Sequence, residues 1–297
     1  MITRDFLRRL ETDLGLSCRL MDIRRLADLE EEIGRIPLEG KAGSFIRNEY
    51  MEYDFSIPVD FKSILVISFP QPHAYVELET EKGVLKGMIP SGYYNGDQAV
   101  GIRDAVIETF ERNGEKAKRM HLPMKLLGAR SGLTKYGKNN ISYVEKFGSQ
   151  HRLNAFYTTL EPSEDVWELE EDLEICQSCQ ACAEACPYGA IPKSEFLLDT
   201  NRCLSFYLDF EDPLPEWTNY SKINTLVGCD HCQDCCPLNA SAEMVQWGRI
   251  PCGQLQEILG SDNYDDLSEE TRTNLKMLGF DDWYGLFRRN LKLVCHR

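Results

Sequence analysis

Cys176-Gln-Ser-Cys179-Gln-Ala-Cys182-Ala-Glu-Ala-Cys186-Pro187 is the stretch that decides how this chain is read. Its spacing is C-x2-C-x2-C-x3-C-P. A tight loop of this kind wraps three thiolates around one [4Fe–4S] cube, and a short helical turn carries the fourth to a second cube. Proline after the fourth cysteine ends that turn. Zinc is the competing reading, but zinc knuckles pair C-x2-C units across longer gaps. The partner set must come from Cys203 and from Gly228-Cys229-Asp-His-Cys232-Gln-Asp-Cys235-Cys236-Pro237. One choice is Cys229, Cys232 and Cys235, which copies the first rhythm. The other is Cys203, Cys229 and Cys232 with Cys236 crossing over, preferred because Cys232-x3-Cys236-Pro237 repeats Cys182-x3-Cys186-Pro187. In that set Cys176, Cys179, Cys182 and Cys236 hold one cluster, and Cys203, Cys229, Cys232 and Cys186 hold the other. Cys235 is then a packed spare thiol.

Outward from this region cysteine becomes scarce. Of the twelve in 297 residues, only Cys18 precedes Cys176. Cys18, Cys252 and Cys295 fall outside any ligand spacing and read as small buried hydrophobes. His231 reads as packing beside a cluster, because thiolates already complete the count; His73, His121 and His151 read as structural. Upstream, Phe6, Leu7, Leu10 and Leu14 recur at helical spacing, as do Leu26, Leu29 and Ile33. Ile64 to Phe69 reads as a buried strand ended by Pro70 and Pro72. Asp104–Arg112 and Pro123–Leu127 read as helices and Ser142–Phe147 as a strand. These alternate as in an α/β domain over residues 1–165. A cluster domain follows over 166–245, then a helical tail over 246–297. The acidic stretch Glu161–Glu174 between the first two reads as a solvated linker, or as a docking surface for a basic electron donor.

Asp plus Glu number 48 against 33 Lys plus Arg, a formal charge of −15. Such a surface repels phosphate backbones and argues against general nucleic-acid binding. No apolar run approaches the ~20 residues that span a bilayer, and the N-terminus lacks the apolar core of a signal peptide. The expectation is a cytoplasmic protein without membrane attachment, whose cysteines stay reduced and serve metal. No Gly-x-Gly-x-x-Gly follows a strand and no Walker-A loop is present, so a nicotinamide, flavin or nucleotide site of those kinds is not supported. Still, about 165 residues precede the cluster region, enough for a core and a pocket of their own.

The ferredoxin-type run, Cys203 and the segment Gly228 to Asn239 together resemble the cobalamin-dependent epoxyqueuosine reductases, which are related to reductive dehalogenases. Two upstream segments are similar as well. Phe61 to Pro70 sits where that family has its first core strand. Gly128-Ala-Arg-Ser-Gly-Leu-Thr-Lys-Tyr-Gly-Lys-Asn-Asn-Ile141 resembles its Gly-Lys-Asn loop. The resemblance implies a nitroreductase-like α/β domain that binds a corrinoid, followed by an α+β ferredoxin-like domain with two [4Fe–4S] clusters. It implies that Gly132, Leu133, Tyr136, Gly137, Lys138 and Asn139 help wrap the corrin, and that a buried acid supplies a proton. The family's Arg-Asp-Tyr-His stretch is matched only by Tyr94-Asn95-Gly96-Asp97-Gln98-Ala99, which makes Asp97 the catalytic candidate and Tyr93 and Tyr94 weaker ones. Longer members carry a C-terminal helical-repeat domain that grips tRNA. This chain stops about sixty residues after the second motif, so a short form is expected. With the acidic surface, that favours a small molecule or another corrinoid protein over tRNA as substrate.

Three functions follow. The first is a reductase in which two [4Fe–4S] clusters, charged by reduced ferredoxin or flavodoxin, feed a bound cobalamin that reduces an organic substrate. The second is an electron-transfer or reductive-activation protein that binds no corrinoid. The third is a redox sensor with a labile cluster.

Overall fold

The computed structural model describes residues 2–35, 43, 53–94, 97–210 and 213–295. Along the chain the elements are α1 (Ile2–Leu14), β1 (Ser17–Asp22), α2 (Arg25–Arg35), β2 (Ser63–Pro70), β3 (Ala74–Thr80), β4 (Gly83–Ile89), α3 (Asp97–Arg112), β5 (Ala117–Met120), α4 (Met124–Arg130), β6 (Lys135–Tyr136), β7 (Ser142–Tyr143) and β8 (His151–Thr158). The cysteine-rich part adds the short helices α5 (Ala181–Ala185), α6 (Leu204–Leu208) and α7 (His231–Asp234). They are followed by β9 (Val245–Ile250), α8 (Cys252–Gly260), α9 (Glu269–Leu278) and α10 (Tyr284–Cys295). Among the described residues no helix is long and apolar enough to cross a membrane.

These elements form two compact units. The first comprises residues 1–71, 96–179 and 195–197. Its sheet has the order β1-β2-β8-β5, antiparallel throughout. β2 is apolar on both faces, and the sheet is accordingly covered on both sides. Leu65, Ile67 and Phe69 face Phe6 and Leu10 of α1 and Val106 and Phe110 of α3. Ile64 and Val66 face Leu26 and Leu29 of α2 and Leu127 of α4. This is the layered α/β arrangement that the alternating pattern predicts.

The second unit comprises residues 72–95, 180–194 and 198–297, and its boundaries depart from those read in the sequence. The hairpin β3–β4, expected in the first domain, makes a three-stranded sheet with β9, which pairs parallel to β3. The physical reason lies in its buried face: Ala74, Val76, Leu78 and Ile89 share one core with Leu204, Leu226, Ile250 and Phe287. Residues 246–297 are likewise part of this core and not an appended tail, with Leu255, Leu275, Leu291 and Val294 buried in it. The strand expected over 142–147 is shortened to Ser142–Tyr143, followed by a single bridge between Val144 and Gly148.

Candidate metal centre and cofactor loop

None of the twelve cysteines is joined in a disulfide. In the second unit, α5 carries Cys182 and packs on α7, which carries Cys232. Cys186 leaves α5 in extended conformation, and its sulfur accepts a hydrogen bond from the Ala190 amide at 3.4 Å. Cys203 precedes the first turn of α6, where the amides of Ser205 and Phe206 point at its sulfur. The His231 amide does the same for Cys229. Burial is the main force raising both of these thiols, and the neighbouring sulfurs add to it: Cys186 acts on Cys203, and both act on Cys229. The fold thus brings the last cysteine of the first run together with two of the second set.

Sulfurs that are half-buried, mutually close and met by amide N–H groups suit iron, which deprotonates thiols outright and whose clusters accept such hydrogen bonds. Among the described residues no group of three or more His, Cys, Asp or Glu side chains converges tightly enough to hold a single ion. Cys176 and Cys179 belong to the first unit, at the short 3-10 turn Glu174–Gln177 and just after it. Cys232 and Cys236 lie on and just after α7. Cys235 ends that helix and donates to the Cys232 carbonyl at 3.6 Å. His231 donates from Nε2 to the Lys222 carbonyl at 2.8 Å, an engagement that leaves that nitrogen unfit for a metal. Cys18 is buried, whereas Cys252 and Cys295 are half-buried.

Three devices hold the second set in place. Met88 of β4 donates to the Asn224 carbonyl and accepts from the Leu226 amide, both at 2.8 Å, so the hairpin templates the approach to Cys229. Gly87 is required there, because a Cβ would stand 2.7 Å from Leu226. Asn290 of α10, fully buried, donates from Nδ2 to the carbonyls of Leu208 and Leu226, each at 3.0 Å. Tyr93 donates to Asp209 at 2.7 Å and meets the Ser205 hydroxyl at 3.1 Å. Neither Asn290 nor Asp209 carries a sequence signal, since each lies outside the cysteine spacing. Tyr94, the other tyrosine candidate, is buried with its hydroxyl on the Pro72 carbonyl at 2.6 Å. Asp97 is the first residue of α3, and its side chain lies outside the described residues.

The predicted cofactor loop lies in the first unit. It leaves α4 through Gly132 in left-handed conformation (φ 67°), where a Cβ would collide with the Glu168 carboxylate. Leu133 is buried among the core residues under the sheet. Tyr136 exchanges backbone hydrogen bonds with Glu171 and Leu173, both at 2.8 Å. Gly137 faces the Tyr143 ring too closely for any side chain. Lys138 and Asn139 are 3% and 2% exposed. The former lies over the Phe196 ring, and the latter donates to the Tyr143 hydroxyl at 3.0 Å. His151 anchors the far end: its Nε2 meets the Ser142 carbonyl at 3.1 Å and its Nδ1 the Ser68 hydroxyl at 2.9 Å. Burial lowers its pKa to about 4, so the ring is neutral. Two buried polar atoms of this unit, Thr134 Oγ1 in the loop and Asn154 Nδ2 on β8, have no hydrogen-bond partner. Buried polar atoms are rarely left so, and the amide-rich rim of a corrinoid would suit both.

The acidic connector is largely exposed to solvent, as a solvated linker would be, but it is tied down at several points. Arg25 pairs with Asp165 at 2.7 Å, and Arg130 donates to the Glu168 carbonyl at 2.9 Å. Their guanidinium groups lie 5.4 and 5.9 Å from the Trp167 ring.

Comparison with known proteins gives the same reading. Residues 175–239 match the family described as a 4Fe-4S double cluster binding domain. The chain is 29% identical over 155 residues to an epoxyqueuosine reductase of Gloeobacter violaceus, covering 52% of this chain and 46% of the relative. It is 29% identical over 200 residues to that of Listeria monocytogenes, covering 64% and 51%. The chain therefore spans about half the length of these curated relatives. Its fold is similar to that of epoxyqueuosine reductase from Streptococcus thermophilus, with TM-score 0.64, 19% identity, and coverage of 99% of this chain and 81% of the other. An epoxyqueuosine reductase solved with an epoxyqueuosine-modified tRNA-Tyr stem loop superposes with TM-score 0.59 at 20% identity, covering 99% and 80%. The double cluster motif, these relatives and this fold make the chain similar to the epoxyqueuosine reductases.

Proposed function

We propose that the chain is a cobalamin-dependent iron–sulfur reductase. Cys176, Cys179, Cys182 and Cys236 hold one [4Fe–4S] cluster, and Cys203, Cys229, Cys232 and Cys186 hold the other. The loop from Gly132 to Asn139 supports a corrinoid. The observation that supports this reading is the grouping of Cys186 with Cys203 and Cys229, which the ligand set with Cys203 requires and the set with Cys235 does not. When bound, the clusters carry single electrons and the corrinoid supplies low-potential cobalt chemistry.

The chain's own part is to position and to stabilise charge. The amides of Ala190, Ser205, Phe206 and His231 favour thiolate at three of the eight ligands. Thr134 and Asn154 offer polar partners to a corrin rim, and Asp97 is the proposed proton donor. The substrate class is an epoxide, which two electrons and two protons convert to an alkene and water. Epoxyqueuosine, for which the relatives are named, is the first candidate. The charge of −15 favours a second reading, in which the reducible group sits on a small molecule and not on tRNA. Reduced ferredoxin or flavodoxin in the cytoplasm is the proposed donor.

The test is EPR on anaerobically purified protein with and without cob(II)alamin. The cobalt signal should lose its axial-nitrogen splitting, beside two reducible [4Fe–4S] signals. The reduced, loaded protein should then convert an epoxyqueuosine nucleoside or a modified tRNA stem loop, as read by mass spectrometry. An unaltered cobalt spectrum beside reducible clusters would leave an electron-transfer protein without corrinoid.

A further inference from the structure

Asp209 carries no cysteine-like spacing in the sequence, yet Tyr93 links it to residues that flank two members of the second ligand set. Its Oδ2 accepts from Tyr93 at 2.7 Å, and the same hydroxyl contacts Ser205 Oγ at 3.1 Å. Ser205 is one of the two residues whose amides face the Cys203 sulfur. The Tyr93 ring in turn lies on Gly228, the residue before Cys229. A Cβ there would come within 2.5 Å of a ring carbon, and Gly228 is in left-handed conformation at φ 59°. The other oxygen, Oδ1, is buried without a hydrogen-bond partner. Burial pushes the Asp209 carboxyl up to about 6, against the Tyr93 hydroxyl, the Gly228 amide and Arg289, which favour the ionised form.

We propose that Asp209 is a positioning residue for the cluster held by Cys203, Cys229, Cys232 and Cys186, and that its carboxylate, fixed by Tyr93, holds that cluster's reduction potential low. The inference rests on the cluster reading above. A fixed negative charge beside a cluster opposes addition of an electron, and net charge and hydrogen bonding near the sulfurs are among the factors that set these potentials. A low-potential second cluster is what a demanding reduction needs from its last carrier.

The experiment is an EPR-monitored redox titration of the full chain at pH 8, with iron counted for each variant. Cys203→Ser identifies the signal of the second cluster. Asp209→Asn keeps shape and an acceptor oxygen but removes the charge. It should raise the midpoint potential of that signal alone and retain about eight irons. Asp209→Glu should restore the wild-type value. Tyr93→Phe keeps the ring on Gly228 and should move the same signal, with no further effect in the Asp209→Asn background. If Asp209→Asn does not assemble, the Tyr93→Phe titration decides. Two unmoved potentials with about eight irons would overturn the role of Asp209 and leave the cluster reading intact. About four irons in the wild type would overturn the cluster reading itself.

Discussion

Asn290 donates to the Leu226 carbonyl at 3.0 Å from a position with no solvent exposure, and its Nδ2 also serves Leu208. One amide group near the end of the chain thus joins the helix that follows Cys203 to the strand-like segment that precedes Cys229. Asn290→Leu keeps the volume and strands two buried carbonyls. At about 1–3 kcal/mol for each unsatisfied group, the loss should be about 2–6 kcal/mol. Denaturant unfolding of the reconstituted protein measures it, and iron content should fall with it. A change within 0.5 kcal/mol would show that the clamp is dispensable.

Gly228→Ala tests the contact with Tyr93. The left-handed backbone costs a non-glycine residue about 1–2 kcal/mol, and here the ring must also be displaced. The expected outcome is loss of the second cluster with retention of the first, read as a drop from about eight irons towards about four. Full iron content would mean that the ring moves freely.

Cys235→Ser distinguishes the two ligand sets. Cys235 already donates to the Cys232 carbonyl, and serine can make the same bond. Iron should stay near eight per chain and both EPR signals should persist. A fall to about four irons would favour Cys235 as a ligand over Cys203.

His151 makes stability depend on pH. Its folded pKa, about 4, lies below its ordinary value near 6.5, so between the two the unfolded chain binds more protons than the folded one. Stability from this group is fully present above pH 6.5 and is lost as pH falls towards 4, at up to about 1.4 kcal/mol per unit and about 3 kcal/mol in all. Denaturant midpoints of wild type and His151→Gln, compared from pH 7.5 to 4.5, should converge at the acid end. Parallel curves would count against a buried neutral imidazole.

Much of this was legible beforehand. The cysteine spacing carried the cluster reading because thiolate geometry is local: three ligands within seven residues leave little freedom to the fold. β2 was legible because Ser63–Pro70 is apolar on both faces. The hairpin Ala74–Ile89 was not assigned to its unit, since nothing local says which distant strand completes an alternating pattern, and its partner β9 follows some 150 residues later. Asp209 and Asn290 were silent for a related reason. Each acts on backbone atoms or on a tyrosine brought near by tertiary packing, and a side chain that serves a carbonyl leaves no residue pattern. The acidic connector is exposed as its composition suggests, but its tethers to Arg25 and Arg130 were not legible, because both lie more than thirty residues away in sequence.

The hairpin β3–β4 also bears on how the protein is made. Unit two draws its strands from residues 74–89 and 245–250 and its amide clamp from residue 290. A fragment starting at residue 166 would leave β9 as an unpaired edge, a template for aggregation. It would also uncover Leu226, which Gly87 and Met88 otherwise cover. On the ribosome the same dependence imposes an order: the thiols emerge well before α10 does, so iron has a finished site to enter only after residue 290 has been synthesised.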